Sequence, residues 1–511
     1  MASFIFWALA AVVAIAPLPL GSNRPWAWSL IAVTVGVLVG LWALAAARNA
    51  AFAPIGWHRH GFVTVPFLCL AAWFLLQTVT FVPNGLLDPL WGEASVALGR
   101  PLSGAISLDP VASRDGAMRF LAYGGVFWLA MQLGYDAKLA RRLFWTIAIA
   151  GFVYAVYGLF IQLGNYHTVL WFPKWAYDDS LTSTFVNRNS YAAYAGVGLI
   201  VVLALLVQVL RENGTYQLMS QTDFIYFAES VTPGFFFLSV ASLVLATALV
   251  LSQSRGGLAF TCLGVGVLVT ALAAARAIRF AAAGVLGVVL LVAGIFVVTY
   301  SGERLMGRFI ETEQSGGAPG REVVHGLAWR AIEDGPVVGR GLDTFTHVFQ
   351  LYRDANTPWP VPTHDKAHSL YLEMAVEGGP IALAILLAMS AGLIAVLVRG
   401  VLVRRRRVIY PCVGLATTAL LGGHAIIDFS IQIPAIAVTF AALLGVGFAQ
   451  SFNTHTARHE RNRGDGSDLT DEPSGAPVAL PKPRASGPAK VGAQEIPHER
   501  GVALEHRPHG G

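Results

Sequence analysis

His364-Asp365-Lys366-Ala367-His368-Ser369-Leu370-Tyr371-Leu372-Glu373-Met374-Ala375-Val376-Glu377-Gly378-Gly379 closes the longest polar segment inside an apolar chain and opens directly into a long apolar helix. An imidazole at such a junction sits at a membrane surface, wet on one side and held by a buried helix on the other. Histidine is also the side chain whose ordinary pKa lies nearest neutrality, so it can take and give protons there. The stretch reads as the mouth of a membrane-embedded active site.

The rest of the chain supports a membrane setting. Of 511 residues, 55% are hydrophobic and only 13% are charged. Apolar runs long enough to cross a bilayer as helices recur throughout. They fall near 4–20, 29–47, 62–82, 119–134, 143–163, 190–210, 235–251, 257–275, 278–300, 368–398, 408–427 and 434–450. The expected architecture is therefore an all-α polytopic membrane protein with about twelve transmembrane helices. The first run lacks a basic flank, which predicts an uncleaved first helix. Cys69, Cys262 and Cys412 each lie in an apolar run without paired spacing and read as small core residues. The formal net charge of +5 is small for this length, and no basic stripe suggests nucleic acid.

Short connections rich in Lys and Arg mark the cytoplasmic side. Arg48, Arg59, Lys138, Arg141, Arg142, Arg276, Arg279, Arg399 and Arg404 to Arg407 share one side if the span count is even, which places both termini in the cytoplasm. The opposite face then receives residues 83–118, 164–189, 252–257, 301–367 and 428–433. Three parts follow: N-terminal helices over 1–163, a membrane core over 164–451 containing a large loop at 301–367, and a disordered tail over 452–511. Within the loop, Arg321 to Glu333 predicts an amphipathic helix with Val324, Leu327, Ala328 and Ala331 on one face. Leu342, Phe345, Val348 and Phe349 repeat that spacing after Gly339-Arg340-Gly341.

Four polar patches share the outward face: Thr184-Phe185-Val186-Asn187-Arg188-Asn189, Ser254-Arg255-Gly256-Gly257, Arg321 with Gly339-Arg340-Gly341, and the His368 stretch. Arginine stays protonated, and its planar fork of donors fits phosphate oxygens. Each Arg has a plainer reading as a headgroup-facing or locally paired cation, favoured for Arg304, Arg308 and Arg353. Histidines four apart at 364 and 368 suggest zinc, but Asp365 stands where the motif needs Glu and no third ligand is evident. Glu373 and Glu377 lie four apart where acids are expensive, which points to a cavity or a partner. Asp428 can orient an Arg or a sugar hydroxyl, or cap the last helix.

Taken together these residues resemble the O-antigen ligase and O-antigen polymerase family. His368-Ser369-x-x-Leu372-x-x-x-x-Glu377-x-Gly379 is similar to its His-(Asn/Ser) and Glu-x-Gly signature, with Ser369 where many members carry Asn. Thr184 to Asn189 resembles its segment before a middle helix, and Ser254-Arg255-Gly256 its Ser-Arg-Gly turn. Pro336-x-x-Gly339-x-Gly341 and His424-x-x-x-Asp428-Phe429 resemble its loop and closing elements. The matches run in family order over about residues 180–450.

The resemblance implies a GT-C-like membrane fold and a metal-independent, inverting glycosyltransferase without a cofactor. The donor would be a glycan on undecaprenyl diphosphate, and the acceptor lipid A core or a growing glycan, at the periplasmic face of the bacterial inner membrane. His368 would be the catalytic base, and Arg188, Arg255 and Arg321 would bind the diphosphate. Asn187, Glu377 and Asp428 would support them. The alternative class, a flippase for lipid-linked saccharides, would place charges at mid-membrane within an inverted repeat.

Overall fold

The computed structural model describes residues 1–212, 232–278, 321–354, 365–404 and 406–452. They form α1 (Ala2–Ile15), α2 (Pro25–Arg48), α3 (Trp57–Leu76), α4 (Leu90–Leu98), α5 (Pro110–Leu133), α6 (Ala137–Leu163), α7 (Arg188–Glu212) and α8 (Pro233–Leu251). There follow α9 (Arg255–Ala274), α10 (Arg321–Glu333), α11 (Phe345–Tyr352), α12 (Leu370–Glu377), α13 (Pro380–Val403), α14 (Ile409–His424) and α15 (Pro434–Gln450). A two-stranded hairpin, β1 (Thr168–Val169) with β2 (Phe172–Pro173), interrupts the helices.

Seven of the described helices are long and apolar enough to cross a membrane: α2, α3, α6, α7, α8, α9 and α13. This is a polytopic membrane protein. The outward faces of these helices are apolar, as a hydrocarbon solvent requires. On α2, for example, Leu30 and Val33 are 61% and 64% exposed. Helix α7 is the inner one, packed against α6, α8, α9 and α14. The span expected at 278–300 lies outside the described residues from 279 on, as do Arg304, Arg308 and the tail from 453.

Two expected spans need correction. The run 368–398 is two helices, α12 and α13, broken at Gly378 and Gly379. Gly379 has φ +85°, and Pro380 follows at the first position of α13, so no helix can run through. The run near 119 begins earlier, at Pro110. Asp109 caps α5 there by accepting from Val111 N–H at 2.9 Å and Ala112 N–H at 3.0 Å.

The predicted loop helices form as expected. Val324, Leu327, Ala328 and Ala331 are buried on α10 and pack with Phe345, Val348 and Phe349 of α11 in a small core of their own. The described parts of the polar segments meet at one end of the bundle, where Asn189 and Arg321 contact Asp428, Ser254 contacts Asn189, and Ser113 contacts Leu342. At the other end, Gln450 donates to Gly134 and Tyr135 carbonyls, and Arg141 pairs with Glu212.

Candidate active site

The fully buried carboxylate of Asp428 gathers four segments. Its Oδ1 accepts the Ser430 N–H at 3.0 Å and the Ser430 hydroxyl. Its Oδ2 accepts from Asn189 Nδ2 at 2.9 Å, and Arg321 approaches to 3.6 Å. Asn189 Oδ1 in turn accepts from Ser254 Oγ at 2.8 Å. Ser254 also caps α9, accepting from Gly257 N–H at 3.2 Å. The first residues of α7 and α9 are Arg188 and Arg255, so two helix N-termini and the Arg321 guanidinium surround one acid. Helix N-termini carry partial positive charge, which suits both this carboxylate and a further anion.

The cations differ in setting. Arg188 is half-buried; its Nη1 donates to Ser180 Oγ at 3.3 Å, and its guanidinium lies over Tyr177, 5.8 Å being the corresponding spacing of Arg24 over Trp175 and 5.3 Å that of Arg188. Arg255 is exposed, and Arg321 is 45% exposed. Asn187 starts α7 by accepting Asn189 N–H at 2.7 Å on its side chain and Tyr191 N–H at 3.1 Å on its carbonyl. Beside Arg255, Gly256 lies so close to His424 that an added Cβ would be 3.1 Å from its Nε2.

His368 stands next to this cluster. Its ring packs edge-on to Phe429, the neighbour of Asp428, with centroids 5.1 Å apart. His368 has φ +54°, a left-handed conformation that costs an L-residue about 1–2 kcal/mol. Such a backbone persists only where its surroundings over-determine it. Downstream, Leu370 N–H donates to Ala425 carbonyl at 3.0 Å and Tyr371 hydroxyl to Gly422 carbonyl at 2.8 Å.

Upstream, a chain of charges fixes the same loop. Glu373 accepts Ala367 N–H at 3.0 Å and Lys366 Nζ at 3.1 Å. Lys366 also donates to Asp343 at 2.9 Å, and Asp343 pairs with Arg119 of α5, whose guanidinium lies 4.7 Å over Trp28. Burial opposes the charge on Asp343, but Lys366 and Arg119 outweigh it and hold the carboxyl below the ordinary carboxylate range. Burial likewise opposes the charge on Lys366, but Glu373, Asp343 and Glu377 outweigh it and raise its pKa. Asp343 and Lys366 are therefore charged at neutral pH, whereas burial outweighs Lys366 and the Ala367 N–H at Glu373 and raises that carboxyl above the ordinary range.

Two residues from the sequence motifs make contacts within the fold. Glu377 Oε1 accepts the Phe345 N–H at 2.9 Å and so caps α11, while its carbonyl accepts from Gly341 N–H and Gln77. Arg340, grouped by sequence with the anion-binding arginines, is 12% exposed and bonds buried Asp88 at 2.8 Å. The structure thus brings Arg321 to Asp428 beside His368, places Arg188 and Arg255 next in sequence to the Asn189 and Ser254 that join this acid, and gives Glu377 a capping contact. The sequence reading missed Asn189 and Ser254 as the link between helices, and Lys366, Asp343 and Arg119 as the brace. Asn189 and Ser254 sit inside motifs already singled out; Arg119 carried no local signal. His364 lies outside the described residues, so the paired-histidine spacing has no geometry to report.

A family model described as O-antigen ligase matches residues 240–387. That stretch, less than a third of the chain, is similar to the O-antigen ligase family. Among curated proteins, none matches the chain. The matched stretch contains Ser254, Arg255, Arg321, Lys366, His368 and Glu377. Arg119, Arg188, Asn189 and Asp428 come from outside it, so the site is completed by helices on both sides of the matched residues. This likeness suggests glycan transfer of the O-antigen ligase or polymerase type as the class of chemistry.

Proposed function

We propose that this protein transfers a glycan from undecaprenyl diphosphate to an acceptor sugar, with inversion and without a metal, at the periplasmic face of the bacterial inner membrane. One observation carries the reading: Asn189 and Arg321 meet on Asp428 beside His368, and Ser254 joins them through Asn189, so three separate segments are tied to one acid. In the reaction, an acceptor hydroxyl attacks the anomeric carbon from the face opposite the diphosphate. The new glycosidic C–O bond forms as the bond to the diphosphate oxygen breaks. The hydroxyl proton passes to the imidazole of His368, and the electron pair leaves with the lipid diphosphate.

Arg188, Arg255 and Arg321 stabilise the charge that develops on that leaving group. Removing one such donor typically costs about 10²–10³-fold in rate. Asn187 sets the start of α7 and hence the direction of Arg188. Asp428 orients Asn189 and Arg321. Glu377 contributes indirectly, by fixing α12 to α11. The acceptor is lipid A core for a ligase and a growing lipid-linked glycan for a polymerase.

Purified protein in lipid nanodiscs tests this with a lipid-diphosphate glycan donor and EDTA throughout. Transfer should survive EDTA and fall at least about 10²-fold in Arg255→Ala and Arg321→Ala. The anchor of the product, lipid A core or the lipid carrier, chooses ligase or polymerase. Donor that crosses the bilayer unreacted would replace this reading with a flippase.

A further inference from the structure

Helix α6, one of the candidate spans, carries an exposed apolar stripe along its length. Ile149, Val153, Val156, Phe160 and Leu163 are spaced by four and three residues in turn, so they share one face, and each is exposed. Near the start of α6, the Arg142 guanidinium lies over the exposed Trp7 ring, 5.9 Å from its centroid, a pairing suited to a membrane boundary. From Arg142 to Leu163 the helix rises about 32 Å at roughly 1.5 Å per residue, which matches the hydrocarbon thickness of a bilayer. Leu163 therefore stands at the opposite boundary.

The hairpin of β1 and β2 follows at once. Tyr166 folds back on Phe160, with ring centroids 5.4 Å apart, and extends the stripe beyond the helix. The two-residue turn between the strands is Leu170-Trp171, and Leu170 has φ +57°, where such turns favour Gly, Asn or Asp. Trp171 is 76% exposed, and exposed Phe172 packs beside it with ring centroids 5.6 Å apart. Water offers a strained tip of Leu, Trp and Phe no compensation, whereas the headgroup level of a bilayer is where Trp is enriched. The hairpin itself is held in place. Leu170 N–H donates to the Tyr157 hydroxyl of α6 at 2.8 Å, Lys174 N–H donates to the His167 carbonyl at 2.9 Å, and Val169 is buried.

We propose that this hairpin is an interfacial anchor, with the Trp171 and Phe172 rings seated at the headgroup level of the lipid bilayer that α6 faces. A lipid surface is favoured over a protein or glycan partner because the rings continue a stripe that already faces hydrocarbon. The anchor also reaches the cations described above. Lys174, the residue after β2, donates from Nζ to the Ser180 carbonyl at 2.6 Å, and Ser180 Oγ accepts from Arg188. Tyr177, between them, lies under the same guanidinium. The segment that contacts Arg188 is thus tied at one end to the depth of the bilayer, whatever reaction the neighbouring residues perform.

Hydroxyl-radical footprinting of the full chain tests this, in nanodiscs of phosphatidylethanolamine and phosphatidylglycerol holding one copy each. Trp329 of α10 is 55% exposed and lies in the polar loop, so it reports open solvent. Trp171 should be oxidised at least about tenfold more slowly than Trp329 although the protein itself covers it less. Oxidation at the Trp329 rate would overturn the anchor and leave the rings free for a glycan or a second copy of the chain.

Two further readouts bear on the same point. A phospholipid with a diazirine at the glycerol end of its acyl chain should label residues 166–172 along with Phe160 and Leu163, mapped by mass spectrometry. A hairpin free of label would overturn the anchor. The double variant Trp171→Ser, Phe172→Ser replaces exposed rings and should keep the fold, while its Leu170 and Lys174 amides exchange at least about tenfold faster in nanodiscs. Exchange at wild-type rates would show that the bilayer does not hold the hairpin and would contradict the proposal.

Discussion

At the residue scale, the unusual feature is a histidine in a left-handed backbone whose neighbours on each side are tied down. Lys366 is central to that restraint because it joins Asp343 to Glu373, and Glu373 holds the Ala367 N–H. Lys366→Met would leave the buried Glu373 carboxylate without its cation while Asp343 keeps Arg119, a change of the kind that costs about 3–5 kcal/mol. Thermal unfolding in detergent should show that loss, and kcat should fall more than KM rises, since the donor's Arg contacts are untouched. A variant with wild-type stability and kcat would mean the network does not hold His368. The same charges fix a pH dependence. The Asp343 carboxyl is held below its ordinary range, so its contribution is present above the unfolded value of about 4 and is lost as pH falls through the folded value. Lys366 behaves oppositely: its contribution is full below about 10.5 and is lost only as pH rises through its elevated folded value. The stability difference between wild type and Asp343→Asn should thus be flat from pH 5 to 9 and shrink below about pH 4. A difference that persists unchanged into acid would contradict the charged network.

At the scale of elements, two glycine-containing turns lock the loop helices onto the membrane helices. Gly339 has φ +75°, and a Cβ there would sit 2.3 Å from the Glu377 carbonyl oxygen; Gly379 has φ +85°, and its Cβ would sit 2.2 Å from that of Val337. Neither turn accepts a side chain without moving the other strand of backbone. Gly379→Ala should lower the melting temperature and weaken the cap that Glu377 gives α11, detected as faster amide exchange over residues 345–352. Protection equal to wild type would show the turns to be independent. Helices were the most legible layer of the sequence. The α10 face of Val324, Leu327, Ala328 and Ala331 was readable because its apolar spacing is strictly helical. The break between α12 and α13 was written as Gly378-Gly379-Pro380 but masked by the apolar residues on both sides. The start of α5 was hidden because Arg114, Asp115 and Arg119 make its first turns polar.

At the scale of the whole molecule, the N-terminal helices brace the site rather than merely span. Gln77 donates to the carbonyls of Val338 and Glu377, Trp73 to that of Gly378, and Ser113 to that of Leu342. Asp88 holds Arg340, and Arg119 holds Asp343. These contacts join residues more than two hundred positions apart, which is why periodicity along the chain could not show them. The motifs did mark Arg188, Arg255, Arg321, Asp428 and His368, because such residues are costly beside a membrane. What they could not show was that Asn189 and Ser254 connect the helices carrying two of those arginines. Arg340→Met leaves Asp88 buried without its cation and should cost about 3–5 kcal/mol, lowering the melting temperature although neither residue lies in the proposed site. The claim on which the rest depends is that His368 takes the acceptor proton. Its most direct test is single-turnover glycan transfer by His368→Ala in nanodiscs, with donor binding measured on the same samples. The account predicts a fall of about 10²–10⁴-fold in the rate of transfer with donor affinity unchanged. Wild-type turnover by His368→Ala would contradict it.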